Sequence, residues 1–408
     1  MDRRTALGVT GVIGSSVLGG CLGGFTDNGS DTGYQWRYDT GGELDAVSQG
    51  VVFARERSNG QIVALDATTG ERRWVYGEAG GMDAYSELAV TETGIYFGYC
   101  TDDDCIGLYG LDTDGEERWR ADTVGTGRTS PFVVDGTVYV ASDVGVVRAF
   151  DAKTGEGLWT DGIDESDETT SGSRIVDIAD AVYVEKNAAL VVIERDEGST
   201  RWRYQPDNGD AQIIDAAVSN GVAYVVTGEY VVAVVDGNEV WRQPFEADDV
   251  QTEIAGIASN RLFVLTNTDR HESRLYAFDV ATGERDLVLE SLEHPDEESD
   301  PFVDVHDGVV YVGTDRFRAL EAATGHEHWS VTVDGGPIRA MTIVEAKGAG
   351  DHTVFVRAGA NRLIGVDSGG ERTWEGTVDG MIRNYLVGES VFVATDEGIY
   401  ALEGQDDS

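Results

Sequence analysis

The 408-residue sequence predicts an all-β fold, a single closed β-propeller of four-stranded antiparallel blades. Three observations predict it. A phrase ending in tryptophan recurs along the chain, in full form as ALDATTGERRW (64–74), AFDAKTGEGLW (149–159) and ALEAATGHEHW (319–329). It recurs at a steady period: Trp36, Trp74, Trp119, Trp159, Trp202, Trp241, Trp329 and Trp374, with Leu287 standing in once, lie 38 to 46 residues apart. That is the blade period of a propeller. Almost nothing between these positions has helical spacing over two turns.

Each unit reads as four strands. A short alternating run such as SPFVVDG (130–136) comes first, and a strongly β-prone run follows: TVYVAS (137–142), GVAYVVT (221–227), GVVYVGT (308–314) or SVFVAT (390–395). The third strand ends in Asp or Glu, a Thr-Gly type turn follows, and the fourth strand carries the Trp. In the phrase at 149–159 the Asp151 carboxylate suits the turn amides, and Gly155 supplies the positive φ that closes the hairpin. Asp precedes Trp by seven or eight residues, which places the indole beyond the turn on the outermost strand. A large flat side chain repeated there fills the gap between its own blade and the next, each buried indole contributing about 2–3 kcal/mol.

These residues resemble the tryptophan-docking repeat of the PQQ-type β-propeller family, with its Ala-x-Asp-x-x-Thr-Gly-x-x-x-Trp pattern. The resemblance runs from about residue 34 to 404. GLDTDGEERW (110–119), AFDVATGERDL (277–287) and GVDSGGERTW (365–374) are further copies. Weaker ones are 189–202, with Glu194 eight residues before Trp202, and 231–241, with the shortened DGNEVW.

Closure has its own signature. The last unit, 390–405, has the Asp/Glu strand but no Trp, whereas YQWRYDT (34–40) is a Trp strand with nothing before it. The N-terminal strand therefore completes the last blade, leaving no open sheet to pair with other chains. The count is eight or nine blades, the sequence giving nine, with the unit at 252–290 the weakest.

MDRRTALGVTGVIGSSVLGGC opens with Arg3-Arg4, continues with an apolar stretch too short and glycine-rich to span a bilayer, and ends in Leu-Gly-Gly-Cys. It reads as a twin-arginine signal (1–21) whose lipobox cysteine, Cys21, carries lipid. A polar tether (22–33) follows, then the propeller (34–404) and an acidic tail (405–408). The expected location is the outer face of the cytoplasmic membrane. Cys100 and Cys105 flank an acidic hairpin tip and are expected to form a disulfide, two free thiols being the alternative.

The formal net charge is −45, with 75 acidic residues against 30 basic ones, of which Lys153, Lys186 and Lys347 are the lysines. The acids are spread over the whole chain, the mark of a halophilic, haloarchaeal protein that keeps its surface hydrated in molar salt. A basic face for phosphates is lacking, so nucleic acid is excluded as a partner.

What the resemblance implies for chemistry is limited. Some relatives are quinone-dependent dehydrogenases, which hold the cofactor with a neighbouring cysteine pair, calcium-binding acids and a basic residue. Here no two cysteines are adjacent and the acids carry turn spacing, so no catalytic residue and no cofactor is expected, with PQQ or calcium as the weaker alternatives. The acidic runs 164–168 and 294–300 are the calcium candidates, and 111–117 looks like a calcium loop but sits on a repeat turn. His326 and His328 form the one metal-friendly pair; the other histidines, at 271, 294, 306 and 352, fall in loop-like contexts.

The expected function is a lipid-anchored cell-surface module that binds or scaffolds proteins, as the family's best-known lipoprotein does in assembling outer-membrane barrels. The alternatives are a quinone- or calcium-dependent oxidoreductase of sugars or alcohols and a solute-binding surface protein. The charge makes one prediction: dilution from molar to low salt lowers the melting temperature through self-repulsion. An unchanged melting temperature contradicts the halophilic reading.

Overall fold

The β-prone runs become the two middle strands of each sheet, and their sequence shows why. Val222–Thr227 and Tyr230–Val235, or Val391–Thr395 and Ile399–Leu402, are buried along nearly their whole length. A strand covered on both faces by neighbouring blades has no solvent side and therefore no polar alternation. The outer strands, such as Arg72–Tyr76 and Thr200–Tyr204, keep exposed residues.

The computed structural model describes residues 33–402 apart from 59, 78–83, 101–104, 123–129, 143–144, 162–172, 207–211, 245–251, 269–271, 294–300, 335 and 346–351. Its strands form nine antiparallel sheets, the blades of a nine-bladed β-propeller. In chain order blades 1 to 8 cover residues 42–76, 84–122, 132–161, 173–204, 213–244, 252–293, 302–332 and 338–377. Within each, strands pair in the order in which they occur. Blade 2 has its first strand divided into two short pieces, Ala84–Tyr85 and Ala89–Val90, both paired to Ile95–Cys100. The unit at 252–290 is a full blade.

Blade 9 is composite. Ile382–Val387, Val391–Thr395 and Ile399–Leu402 supply three strands, and Tyr34–Tyr38 pairs antiparallel with the last of them, Trp36 opposite Ala401. The chain divides into two compact units. One holds blades 9, 1, 2 and 3 with the first two strands of blade 4, and the other blades 5 to 8 with the last strand of blade 4.

Six of the tryptophans share one construction, whereas Trp374 Nε1 is buried without a hydrogen bond. In the fourth strand a bulge precedes the Trp, so that Trp36, Trp74, Trp119, Trp159, Trp241 and Trp329 face Ala401, Ala64, Gly110, Ala149, Ala233 and Ala319. The small partner leaves room, and the extra residue re-aims the indole. Each Nε1–H then donates to the carbonyl just after the Asp or Glu of the next blade's turn. In the first unit Trp36, Trp74, Trp119 and Trp159 reach Ala67, Thr113, Ala152 and Arg195 at 2.6–3.0 Å. In the second, Trp241 and Trp329 reach Val280 and Ser368 at 2.9 and 2.8 Å.

The turn is shaped to receive the ring. Asp151 Oδ1 accepts from the amides of Lys153 and Thr154 at 3.1 and 2.7 Å and from the Thr154 hydroxyl at 2.8 Å. Gly155 has φ +71°, and a Cβ there would lie 2.5 Å from the Trp119 ring. This glycine answers two demands at once, a left-handed backbone and a face flat enough for an indole. Such turn bonds hold three carboxylates below the usual range: Asp151 chiefly through the Thr154 hydroxyl and then its amide, Asp279 chiefly through the Thr282 amide, and Asp66, where an Arg73 hydrogen bond is the largest cause, down to about 2.

Blade 6 departs from the pattern. Its register sets Asp286 opposite Ala277 and Leu287 opposite Tyr276, because the bulge before the Trp position is missing. Leu287 therefore does not take the tryptophan's place in the register.

Truncating a docked indole removes about 3–5 kcal/mol by cavity formation and lost contacts. Trp159→Ala is expected to unfold at correspondingly lower denaturant, whereas Leu158→Ala, at a side chain 51% exposed, changes stability by no more than about 0.5 kcal/mol. Equal effects of the two substitutions in equilibrium unfolding contradict the docking account.

Candidate functional site

Polar chemistry in the first unit gathers on first strands. In blade 1 a bulge between Leu44 and Ala46 inserts Asp45 into Gly42–Ser48. Its side chain is 2% exposed and receives Arg55 Nε at 2.9 Å on both oxygens. Leu88 N, beside the first strand of blade 2, also donates to Asp45 Oδ1 at 3.2 Å. Arg55 Nη2 lies 3.2 Å from Glu43 Oε2, so one guanidinium serves two carboxylates.

A second rung joins blade 9 to blade 1. Asn384, just past the same kind of bulge, accepts from Leu44 N at 3.1 Å and donates to Leu44 O at 2.6 Å. Arg383 Nη2 and Arg57 Nη1 share Asp396 Oδ1 at 2.5 and 3.5 Å. In the other unit Asp215 repeats the rung, accepting from Ile254 N at 2.9 Å. These side chains tie the first strand of one blade to the main chain of the next. The Asp45–Arg55–Glu43 group adds a charged cluster at the edge of blades 1 and 2.

Burial dominates the Asp45 carboxyl and pushes it up to about 6, against the opposing pull of Arg55 and the Leu88 amide. A folded-state value above the unfolded 3.8 means that the folded protein holds a proton the unfolded chain has lost.

The second unit holds a histidine cluster. His306 ends the strand Phe302–His306 of blade 7, and His352 begins His352–Ala358 of blade 8. Their rings meet edge to face at 5.3 Å. The Tyr311 hydroxyl hydrogen-bonds His352 Nε2. His306 Nε2 is buried without a hydrogen bond and lies 3.7 Å from Asp307 Oδ2 and 3.9 Å from Glu345 Oε1. Burial, then Asp307 and Asp304, push the Tyr311 hydroxyl up to about 12, so it keeps its proton. The loop-like reading of residues 306 and 352 is corrected here: both are strand residues brought together across 46 positions of chain by adjacent blades.

The other expected site residues are placed as follows. Trp36, Trp119, Trp159, Trp241 and Trp374 are buried, and Trp74, Trp202 and Trp329 half-buried. The Trp202 side chain lies against Gly237 of the next blade's turn. His326 precedes the strand Glu327–Thr332 and His328 falls in its bulge, both exposed. Among the described residues no three His, Cys, Asp or Glu side chains converge as metal ligands. The turn at 111–117 is a repeat turn, with Asp112 Oδ1 accepting from the amides of Asp114 and Glu116 at 3.0 Å. Register pairs Cys100 with Cys105 across adjacent strands, though their side chains, like Cys21 and the runs 164–168 and 294–300, lie outside the described residues. The cysteines, at 21, 100 and 105, do not provide the adjacent pair that a quinone site uses.

Blades, seams and turns define a propeller of the tryptophan-docked repeat class. The chain belongs to the PQQ-type repeat family described as outer membrane protein assembly factor BamB, matched over residues 101–211 and 193–406. BamB of Burkholderia pseudomallei is 25% identical over 244 residues, 55% of this chain and 60% of that protein. Tetrathionate hydrolase of Acidithiobacillus ferrooxidans is 27% identical over 232 residues, 49% of this chain and 44% of the hydrolase. The chain thus spans about half the length of these curated relatives. The crystal structure of quinohemoprotein alcohol dehydrogenase from Comamonas testosteroni shares the fold, with a TM-score of 0.51 at 15% identity over 91% of this chain and 77% of that one.

Sign and window follow from the buried carboxyl. Stability that Asp45 contributes when protonated is lost as pH rises from 3.8 through about 6, whereas the turn aspartates act oppositely, losing theirs as pH falls below 3.8. Asp45→Asn is expected to flatten the unfolding free energy between those two pH values. A variant retaining the full native slope there contradicts the assignment.

Proposed function

We propose that this chain is an exported, lipid-anchored propeller that binds or scaffolds other proteins and has no catalytic step of its own. The observation that carries the reading is membership of the BamB family over most of the chain. The residues accord with it. The polar groups of the first-strand rungs, Asp45, Arg55 and Asn384, bind main chain or one another, as a rigid framework requires. A framework with fixed blades suits recognition by preformed loops.

Export by the twin-arginine route, lipid on Cys21, a Cys100–Cys105 disulfide and a haloarchaeal setting belong to this proposal. The signal sequence, the cross-strand register of the two cysteines and the dispersed acids support them. The oxidoreductase alternative has the shared fold on its side.

The experiment is affinity capture from membranes prepared in molar salt, with the native chain and Cys21→Ser. Membrane retention lost in Cys21→Ser, and a partner recovered at near-equal stoichiometry with the native chain, is the expected result. Unchanged retention overturns the anchor. Recovery of no stoichiometric protein, with dye-linked turnover appearing on addition of quinone and calcium, overturns the scaffold in favour of the enzyme.

A further inference from the structure

Two seams of this protein carry the same polar problem and solve it with different chemistry. In blades 3 and 4 Tyr139 stands opposite Ala149, and Asp135 occupies the left-handed turn position before Gly136. Arg195, from the next blade, donates from Nε to the Tyr139 hydroxyl at 3.3 Å and from Nη2 to Asp135 at 2.8 Å. A permanent cation thus joins the tyrosine and the turn carboxylate of one blade to the next.

Blades 7 and 8 repeat the frame. Tyr311 stands opposite Ala319, and Asp307 takes the left-handed position before Gly308. No arginine reaches them among the described residues; His352 meets the Tyr311 hydroxyl, and His306 Nε2 faces Asp307. The surroundings are anionic from both blades, with Asp304 and Asp307 on blade 7 and Glu345 on blade 8, beside the protonated Tyr311. Asp304 is itself held up by burial, with His306 acting to lower it.

We propose that His306 and His352 form a proton-dependent clasp, in which one proton taken up by the pair supplies between blades 7 and 8 the cation that Arg195 supplies permanently between blades 3 and 4. His306 Nε2, buried, without a hydrogen bond and flanked by two carboxylates, is placed to be a donor. The pair takes one proton because two cations with rings 5.3 Å apart repel. Glu345 and His352 are register partners at the loop end of the first hairpin of blade 8, so the clasp fixes that hairpin against the 306–308 turn. Proton uptake on closing makes opening harder as pH falls through the histidine range.

The test is amide hydrogen exchange of residues 341–345 and 352–356 in the full chain, corrected for intrinsic rates, at about pH 8 and about pH 5.5. Protection should rise at least about threefold on acidification. His306→Gln and the exposed Glu345→Gln should each abolish the rise, His326→Gln should leave it intact, and His352→Arg should fix the protected state at both pH values. A rise that persists in both His306→Gln and Glu345→Gln, or a native chain without any rise, overturns the clasp.

Discussion

The structure depends on an indole N–H that reaches across a seam and donates to the main chain of the next blade. That bond is worth about 1 kcal/mol net, less than the burial that accompanies it. Its importance is directional. Sheet packing between blades is apolar, whereas an indole tied to one carbonyl and laid on one glycine fixes a blade against its neighbour wherever Trp36, Trp74, Trp119, Trp159, Trp241 or Trp329 makes that bond. Trp36 does this for the strand contributed by the N-terminal end of the propeller.

The dock combines three features: a bulge that turns the indole, a small residue opposite it, and a tight turn running from Asp or Glu to a left-handed glycine, whose carbonyl and glycine receive the ring. Blade 6 shows the dependence from the other side. Without the bulge the register slips by one, Ala277 faces Asp286, and the seam to blade 7 relies on apolar packing of Phe263, Leu265, Leu275 and Val310. Rungs such as Asn384–Leu44 and Asp215–Ile254 add a second line of attachment at the first strands.

Much of this was legible in sequence because it is local or periodic. Strand runs, turns and tryptophan spacing lie within single units of about forty residues, and nine repetitions average out the noise of any one. The composite blade was legible because a Trp strand without a blade and a blade without a Trp strand stood at opposite ends. What the sequence hid depends on partners from different units. GELDAVS reads as a half-exposed first strand, and nothing local shows that Asp45 is buried against Arg55 and Leu88. His306 and His352 look unrelated until blades 7 and 8 set their strands side by side. His326 and His328, two positions apart in sequence, are both exposed.

Exchange of the indole protons themselves tests the central claim most directly. With nitrogen-15 tryptophan in the intact chain, the N–H groups of Trp36, Trp119, Trp159 and Trp241 should exchange only through opening of whole blades, orders of magnitude more slowly than free indole. Exchange of those four protons at the rate of free tryptophan, in a chain whose strand amides remain protected, would contradict it.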